Sequence, residues 1–343
     1  MALSKLKAII KGKKYLPFEQ DGKTYNLYEL PKGFVIEGDL DLSNRKLTEL
    51  PDLSEVVVKG IFSCSYNELT SLEGAPQTVG GHFDCSNNEL TSLEGAPKKV
   101  GEIFNCRYNK LTSLKGAPKE VGGYFDCVHN QLTSLEGAPQ TVGGRFDCSL
   151  NKLTSLEGAP KEVGGYFDCV HNQLTSLEGA PQTVGGYFDC RYNQLTSLEG
   201  APQTVGEYFI CSKNQLTSLE GAPQTVGGFF SCNNNQLTSL VGVPQVEDNK
   251  IYCDDSLGAK YGFSQTCNYG IKYKDLCATS LYKSEIAMNR VRGKKQHESV
   301  QQPQKQVETK TQQQEQREKQ QKDKINAEFS QWLKDNSNKP TRK

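Results

Sequence analysis

The chain has 343 residues, with 40 Lys and Arg against 40 Asp and Glu, so its formal net charge is zero. The charges are unevenly distributed: residues 1–37 carry +3, residues 38–253 carry −10 and residues 254–343 carry +7. An acidic central segment argues against a nucleic-acid-binding body, because phosphate recognition needs a basic face. Only short apolar runs occur, which predicts no membrane span and no general secretory signal.

Residues 1–37 precede the first repeat, and we interpret them as a polar N-terminal cap. Residues 38–253 then repeat a 21-residue unit that reads L-T-S-L-E-G-A-P-Q-T-V-G-G-Y-F-D-C-R-Y-N-Q at residues 174–194. Units 119–139 and 161–181 are identical in every letter. One Cys column runs through ten units without a slip, from Cys64 to Cys253. Such self-similarity predicts a solenoid of stacked coils.

Alternation along a strand sends Phe and Cys of Y-F-D-C-R to one side and Tyr, Asp and Arg to the other. We therefore predict that Val, Phe, Cys and the two Leu of each unit form the core. The repeated E-G-A-P and V-G-G segments predict turns, because Gly permits positive φ and Pro excludes a helix interior. No long helix is expected on the far side of a coil.

The phrase V-x-x-x-F-x-C-x-x-N-x-L-x-x-L resembles the leucine-rich-repeat pattern, and L-T-S-L with a short unit is similar to its bacterial subclass. The resemblance covers about residues 38–253. It implies a mainly β repeat solenoid of about eleven coils with a parallel strand face. It also implies that the Asn column bonds to the backbone of adjacent turns. Similar repeats accompany secreted bacterial effectors, so delivery to a host cell is a further expectation.

The remaining segments complete the predicted organisation. Residues 254–290 are expected to close the solenoid as a C-terminal cap, and residues 291–324 form a Gln-rich basic linker by composition. Residues 325–343 are predicted to hold a short amphipathic helix and tail. Its apolar stripe, at helical spacing, is a candidate docking segment for a partner or for the acidic body: Ile325, Phe329, Trp332 and Leu333.

Twelve cysteines could indicate disulfides, but a column at constant spacing indicates one structural position repeated. Free Cys behaves as a small apolar residue. We therefore predict reduced, inward-facing thiols and a reducing, cytoplasmic compartment.

The outward side chains of the strands, here called the strand face, supply the candidate binding site. Tyr and Arg are common anchors at protein interfaces, and a basic partner would relieve repulsion along a column of Asp. Copying of these residues with the repeat, without selection, is the alternative. The candidate partner-binding residues are Tyr124, Asp126, Arg145, Asp147, Tyr166, Asp168, Tyr187, Asp189, Arg191, Tyr208 and Phe229.

Catalytic and metal sites have weaker support. His129 and His171 follow Cys at equivalent positions, which could suggest zinc, and an Asp column could suggest calcium. Cys253-Asp254-Asp255 matches the Cys-x-Asp motif of leucine-rich-repeat ubiquitin ligases, although their large helical domain has no counterpart. We expect no catalytic residue, metal, cofactor or small-molecule substrate. The preferred interpretation is a protein-binding scaffold or adaptor; a structural spacer of a phage or cell envelope is the alternative, and a ligase-like effector a distant one.

Overall fold

The computed structural model describes residues 14–246 and 250–290. The first 13 residues of the predicted cap, the Gln-rich linker 291–324 and the tail 325–343 lie outside this range. The four candidate docking residues of the tail therefore lie outside it as well. The described chain begins with an antiparallel hairpin, β1 (Pro17–Gln20) and β2 (Lys23–Asn26), and a 3-10 turn at Leu27–Glu29.

The solenoid is built from two parallel sheets, each of which receives one short strand per coil. The first sheet carries the Phe column and has eleven parallel strands. The prediction of a parallel-strand solenoid is confirmed, with about ten complete coils between the first and last strands. Its strands are β4 (Leu40–Asp41), β6 (Phe62–Ser63), β8 (Phe83–Asp84), β10 (Phe104–Asn105), β12 (Phe125–Asp126), β14 (Phe146–Asp147), β16 (Phe167–Asp168), β18 (Phe188–Asp189), β20 (Phe209–Ile210), β22 (Phe230–Ser231) and β24 (Lys250–Tyr252).

The second sheet carries the Val column. The sequence pattern predicted that these Val side chains lie in the core but did not predict that their segments form a separate sheet. This sheet has 11 strands, and parallel pairing again sets each Val beside the Val of the next coil. Its strands are β3 (Val35–Ile36), β5 (Val57–Val58), β7 (Thr78–Val79), β9 (Lys99–Val100), β11 (Glu120–Val121), β13 (Thr141–Val142), β15 (Glu162–Val163), β17 (Thr183–Val184), β19 (Thr204–Val205), β21 (Thr225–Val226) and β23 (Gln245–Val246).

The one or two Gly residues after most of the Val residues turn the chain from the second sheet into the first. Coils approach so closely here that a Cβ on Gly122 would lie 2.1 Å from the Gly101 carbonyl oxygen. A Cβ on Gly101 would lie 1.9 Å from the Gly80 carbonyl oxygen. Only Gly permits this stacking distance. No helix interrupts the coils between residues 30 and 246, as the turn residues predicted.

The core is a set of parallel ladders. Nine Phe side chains, from Phe62 to Phe230, are fully buried and stack ring on ring at centroid distances of 5.1–5.6 Å. The ten Cys of the column are free and buried, which confirms their inward orientation. Burial raises the pKa of the Cys148 thiol well above its ordinary value. Each internal coil therefore repeats one apolar cross-section, and the coils stabilise one another by stacking.

The Asn column joins neighbouring coils through buried hydrogen bonds, as the resemblance implied. Asn130 Nδ2 donates to the Cys106 carbonyl at 3.0 Å and to the Cys127 carbonyl at 3.2 Å. Its Oδ1 accepts from the Leu111 backbone N–H at 3.0 Å. One side chain thus satisfies backbone groups of two coils in the interior, where an unpaired polar group would be costly.

The solenoid is followed by α1 (Asp255–Lys260), α2 (Thr266–Tyr269) and α3 (Tyr273–Ala278). Residues 280–290 are also helical. The short strand β25 (Ile271–Lys272) pairs antiparallel with β24 and completes the 12-stranded first sheet. Leu257 and Leu276 are buried in this C-terminal segment. Among the described residues, no helix has the length and apolar character that crossing a membrane would require.

Candidate functional site

The Asp column of the strand face is less accessible than its sequence pattern predicted. We expected these side chains to face solvent, but Asp147, Asp168 and Asp189 are buried, and Asp126 is half-buried. The reason is the side chains around them: long neighbouring residues of the same and the next coil lie over the carboxylates. The expectation of an open Asp stripe is therefore wrong for three of its four members.

Two arginines of the chain itself form ion pairs with the three buried carboxylates of this column. Arg145 replaces the usual Tyr, and its guanidinium contacts Asp147 Oδ2 at 2.5 Å and Asp168 Oδ2 at 2.8 Å. Arg191 NH2 lies 2.6 Å from Asp189 Oδ2. Repulsion between the carboxylates, which had suggested a basic partner, is thus offset within the fold.

A backbone contact explains why Asp or Asn recurs at this position. The carboxylates of Asp84 and Asp147 each accept a hydrogen bond from the backbone N–H two residues later, at 2.9 and 3.0 Å. Asn105 makes the same contact with the Arg107 backbone N–H at 3.2 Å. These bonds satisfy a backbone donor where the strand ends. The column therefore has a structural role that does not depend on any partner.

Burial also changes the protonation of the column. Burial raises the pKa of Asp168 to about 6; the charge of Asp147 adds to the rise, and Arg145 opposes it. The hydroxyl of Tyr187 donates a hydrogen bond of 2.9 Å to Asp168 Oδ2. Burial likewise raises the pKa of Asp126, while a hydrogen bond from the Val128 backbone N–H lowers it. The centre of the strand face is thus occupied by a cluster of polar side chains that are largely covered by their neighbours.

The Tyr column is accessible but forms pairs and not one continuous stripe. The rings of Tyr166 and Tyr187 stack at 4.3 Å, and those of Tyr208 and Phe229 stack at 4.2 Å. Tyr124, beside Arg145, is 49% exposed, whereas the four stacked rings are half-buried. Flat aromatic surface of this kind is typical of protein-contact sites.

A second outward column, two residues after each Cys, was not included among the predicted site residues. In the coils from Tyr66 to Asn234 its members adopt positive φ, between 53° and 58°, although none is Gly. This conformation is uncommon for Tyr or Leu. Asn tolerates it best, and the presence of Asn87 and Asn234 in the column was the available sequence signal. The column comprises Tyr66, Asn87, Tyr108, His129, Leu150, His171, Tyr192, Lys213 and Asn234.

The same backbone conformation directs large side chains of this column outward. Tyr108 and Leu150 are 45% and 44% exposed, which is high for such residues. His129 packs against Tyr108 at a ring distance of 4.7 Å with the two ring planes tilted by 31°, and His171 stacks on Tyr192 at 4.2 Å. We call the five residues of the central coils the edge row: Tyr108, His129, Leu150, His171 and Tyr192.

The Tyr column and the edge row border two shallow depressions on the strand face. The larger, of about 530 Å³, is lined by the charged cluster together with Leu150, His171 and Tyr208. The smaller, of about 330 Å³, is lined by Tyr192, Phe229 and other residues. Arg191 and Ile210 line both depressions, so they adjoin. Ten of the eleven predicted partner-binding residues line one of them or the neighbouring hollow beside Tyr124, and Asp126 lies in the same Asp column.

The alternative chemical sites do not form in the part of the chain that the structure describes. No group of three or more His, Cys, Asp and Glu side chains is arranged to hold a metal ion there. Burial raises the pKa of Cys253 to about 11, and a hydrogen bond with Thr266 only partly opposes this. The thiol of the Cys-Asp-Asp triplet is therefore protonated at neutral pH, whereas a nucleophilic Cys requires the thiolate.

Similarity to known proteins is found at the level of the structure. No protein-family model matches the chain, and no curated protein matches it. Among solved structures, the chain is similar to YopM from Yersinia enterocolitica WA-314, at 21% sequence identity and a TM-score of 0.37. The similarity covers 63% of this chain and 55% of that chain, so this chain spans little more than half of it.

Proposed function

We propose that the chain is a non-catalytic scaffold that binds a protein partner through its strand face. The observation that carries the proposal is the exposure of large side chains along the two columns that border the depressions. Tyr124, Tyr108, Leu150 and Tyr192 are each at least 39% exposed. Aromatic anchors on a rigid support are typical of protein interfaces, since little side-chain entropy is lost when they bind.

The chemistry of the depressions supports a protein and not a small molecule. Both are wide and open, and the floor of the larger one is a polar cluster in which two Arg form ion pairs with three Asp. Small-molecule sites are more enclosed and more apolar. We propose that Tyr124, Tyr166, Tyr187, Tyr208 and Phe229 make contact, together with the edge row. The Asp residues and the two Arg would orient this surface from beneath.

A reducing compartment forms part of the proposal. Ten buried free thiols, each held in the core beside its neighbours, suit a protein that folds without disulfide formation. Delivery to a host cell through a dedicated secretion system is the second part of the proposal.

Site-specific photo-crosslinking in the cells that express the protein tests the proposal. A benzophenone amino acid would replace Tyr124 or Tyr192 on the strand face, and Gln182 or Gln224 on the second sheet as controls. All four side chains are on the surface, with Tyr124 and Tyr192 at 49% and 39% exposure. We expect a discrete crosslinked species from the strand-face positions alone. Equal products from both sheets, or none from the strand face, would overturn the proposal.

The crosslinked complex also distinguishes a scaffold from a structural spacer. A structural spacer would be crosslinked to the components of an assembly in a fixed ratio. No free, unassembled copy of the protein would then be recovered. A scaffold or adaptor would be recovered both free and bound.

A further inference from the structure

A groove on the second sheet, away from the strand face, forms a second candidate surface. It has a volume of about 1120 Å³ and extends over the coils that contain β7, β9, β11 and β13. Ala96, Pro97, Ala117 and Pro118 supply apolar lining, together with exposed backbone of the Gly column. Clefts of this size and apolar character are typical of binding sites.

Lysines concentrate at this groove. The repeat usually places Gln-Thr after the Pro of each coil, but here the positions hold Lys98-Lys99 in one coil and Lys119-Glu120 in the next. All four residues line the groove and are exposed. With three Lys and one Glu, the groove carries a local charge of +2, while residues 38–253 as a whole carry −10.

These lysines have no acidic partner among the residues that the structure describes. Lys98 and Lys119 occupy equivalent positions of adjacent coils, where like charges repel. Neither they nor Lys99 forms an ion pair with any carboxylate in residues 14–246 and 250–290. Lys115, close by in sequence, differs, because its ammonium lies 3.2 Å from Glu136 Oε1. An anionic ligand would relieve the repulsion that the fold leaves in place.

We propose that this groove binds an acidic, extended segment of a partner protein. Backbone and small apolar side chains of such a segment would lie against Ala96, Pro97, Ala117 and Pro118, and its carboxylates would pair with the three Lys. A nucleic acid fits less well, because the lining is apolar and the surrounding coils are acidic. The basic C-terminal part of this chain does not fit either, since its net charge is +7.

The full chain is tested with a fluorescein-labelled decapeptide of alternating Glu and Pro, which is extended because of its prolines. The informative variant is K98Q/K99T/K119Q, which restores the residues that other coils carry at these positions and should fold. The matched control is K110Q/K152Q/K161Q. It also replaces three exposed Lys by residues of the repeat, but none of them lines the groove.

Fluorescence anisotropy should detect binding of the acidic peptide to the natural chain, weakened by salt. We expect an affinity loss of about tenfold for K98Q/K99T/K119Q and little change for the control. No binding of the acidic peptide, or equal losses in both variants, would overturn the proposal. Tighter binding of a ten-nucleotide oligothymidylate with the same dependence on Lys98, Lys99 and Lys119 would also overturn it, and would assign the groove to nucleic acid.

Discussion

Arg145 Nε donates a hydrogen bond of 2.8 Å to Asp168 Oδ2, across the boundary between two adjacent coils. Asp168 accepts a second hydrogen bond from the hydroxyl of Tyr187, in the coil after that. Three coils are thus linked through side chains on the strand face. The linkage is unique to this part of the described array, because Arg stands in the Tyr column only at residue 145.

Replacement of Arg145 by Tyr, the residue that neighbouring coils carry, should lower the free energy of unfolding. Asp147 and Asp168 would lose their shared cation while staying buried, at a cost of about 2 kcal/mol for this partly exposed pair. Urea denaturation measures the change. Arg107→Ser is the control, because Arg107 is 45% exposed and reaches Asp126 only at 4.0 Å. Equal stability of both variants would show that the ion pair is dispensable.

The stability of the fold should depend on the protonation of Asp168. Its pKa of about 6 in the fold exceeds the ordinary value of 3.8, so the folded state holds the proton more tightly than the unfolded state. The stabilisation is complete below about pH 4 and is lost as the pH rises through about 6. The loss should be about 3 kcal/mol. The free energy of unfolding is measured for the natural chain and for Asp168→Asn at pH values from 4 to 7. The difference between the two proteins should change across this pH range. A constant difference would contradict the assignment.

The Asn ladder should be sensitive to single substitutions. Asn151→Ala removes hydrogen bonds to the Cys127 and Cys148 carbonyls and to the Leu132 N–H. Because these backbone groups stay buried and unpaired, we expect a loss of about 3 kcal/mol in urea denaturation. The control is Lys152→Ala, one residue further on and exposed, which should change stability by less than about 0.5 kcal/mol. Similar losses in both would mean that the ladder is not a main source of stability.

Deletion of one unit should be tolerated better than one polar substitution in the core. Removal of residues 140–160 rejoins equivalent positions and leaves one fewer strand in each sheet, so a shorter solenoid should form. Phe146→Asp puts a charge among stacked rings and should cost several kcal/mol. Circular dichroism and thermal unfolding compare the two. A folded Phe146→Asp beside an unfolded deletion would refute the stacking register.

Thiol titration should distinguish the Cys residues of the column from the two Cys residues of the C-terminal segment by their rates of reaction. The ten column thiols are buried, whereas Cys267 and Cys277 are partly exposed. We expect about two groups to react quickly in native buffer and all 12 after denaturation. Fast reaction of many more groups in the native state would show that the column is accessible. The variant Cys267→Ser/Cys277→Ser, with no fast-reacting group expected, is the control.

Much of the structure of this protein can be predicted from the sequence because every coil repeats the same local structure. The 21-residue period, the alternation around Phe and Cys, and the Gly and Pro turns determine the parallel stacking, the buried ladders and the absence of helices from the coils. The Asn ladder followed from the resemblance in the same way. These features depend on local pattern and on contacts between equivalent positions, so one unit predicts them all.

Only the tertiary structure shows which contacts form between residues at non-equivalent positions of the repeat. Arg145 reaches into the next coil, so that Asp147 and Asp168, which alternation alone assigns to solvent, become buried. The lysine-rich groove likewise arises where neighbouring coils differ in sequence. The repeat pattern determines on which side of the sheet each side chain lies. Its accessibility depends on the length and charge of the side chains one coil away, which the period does not specify.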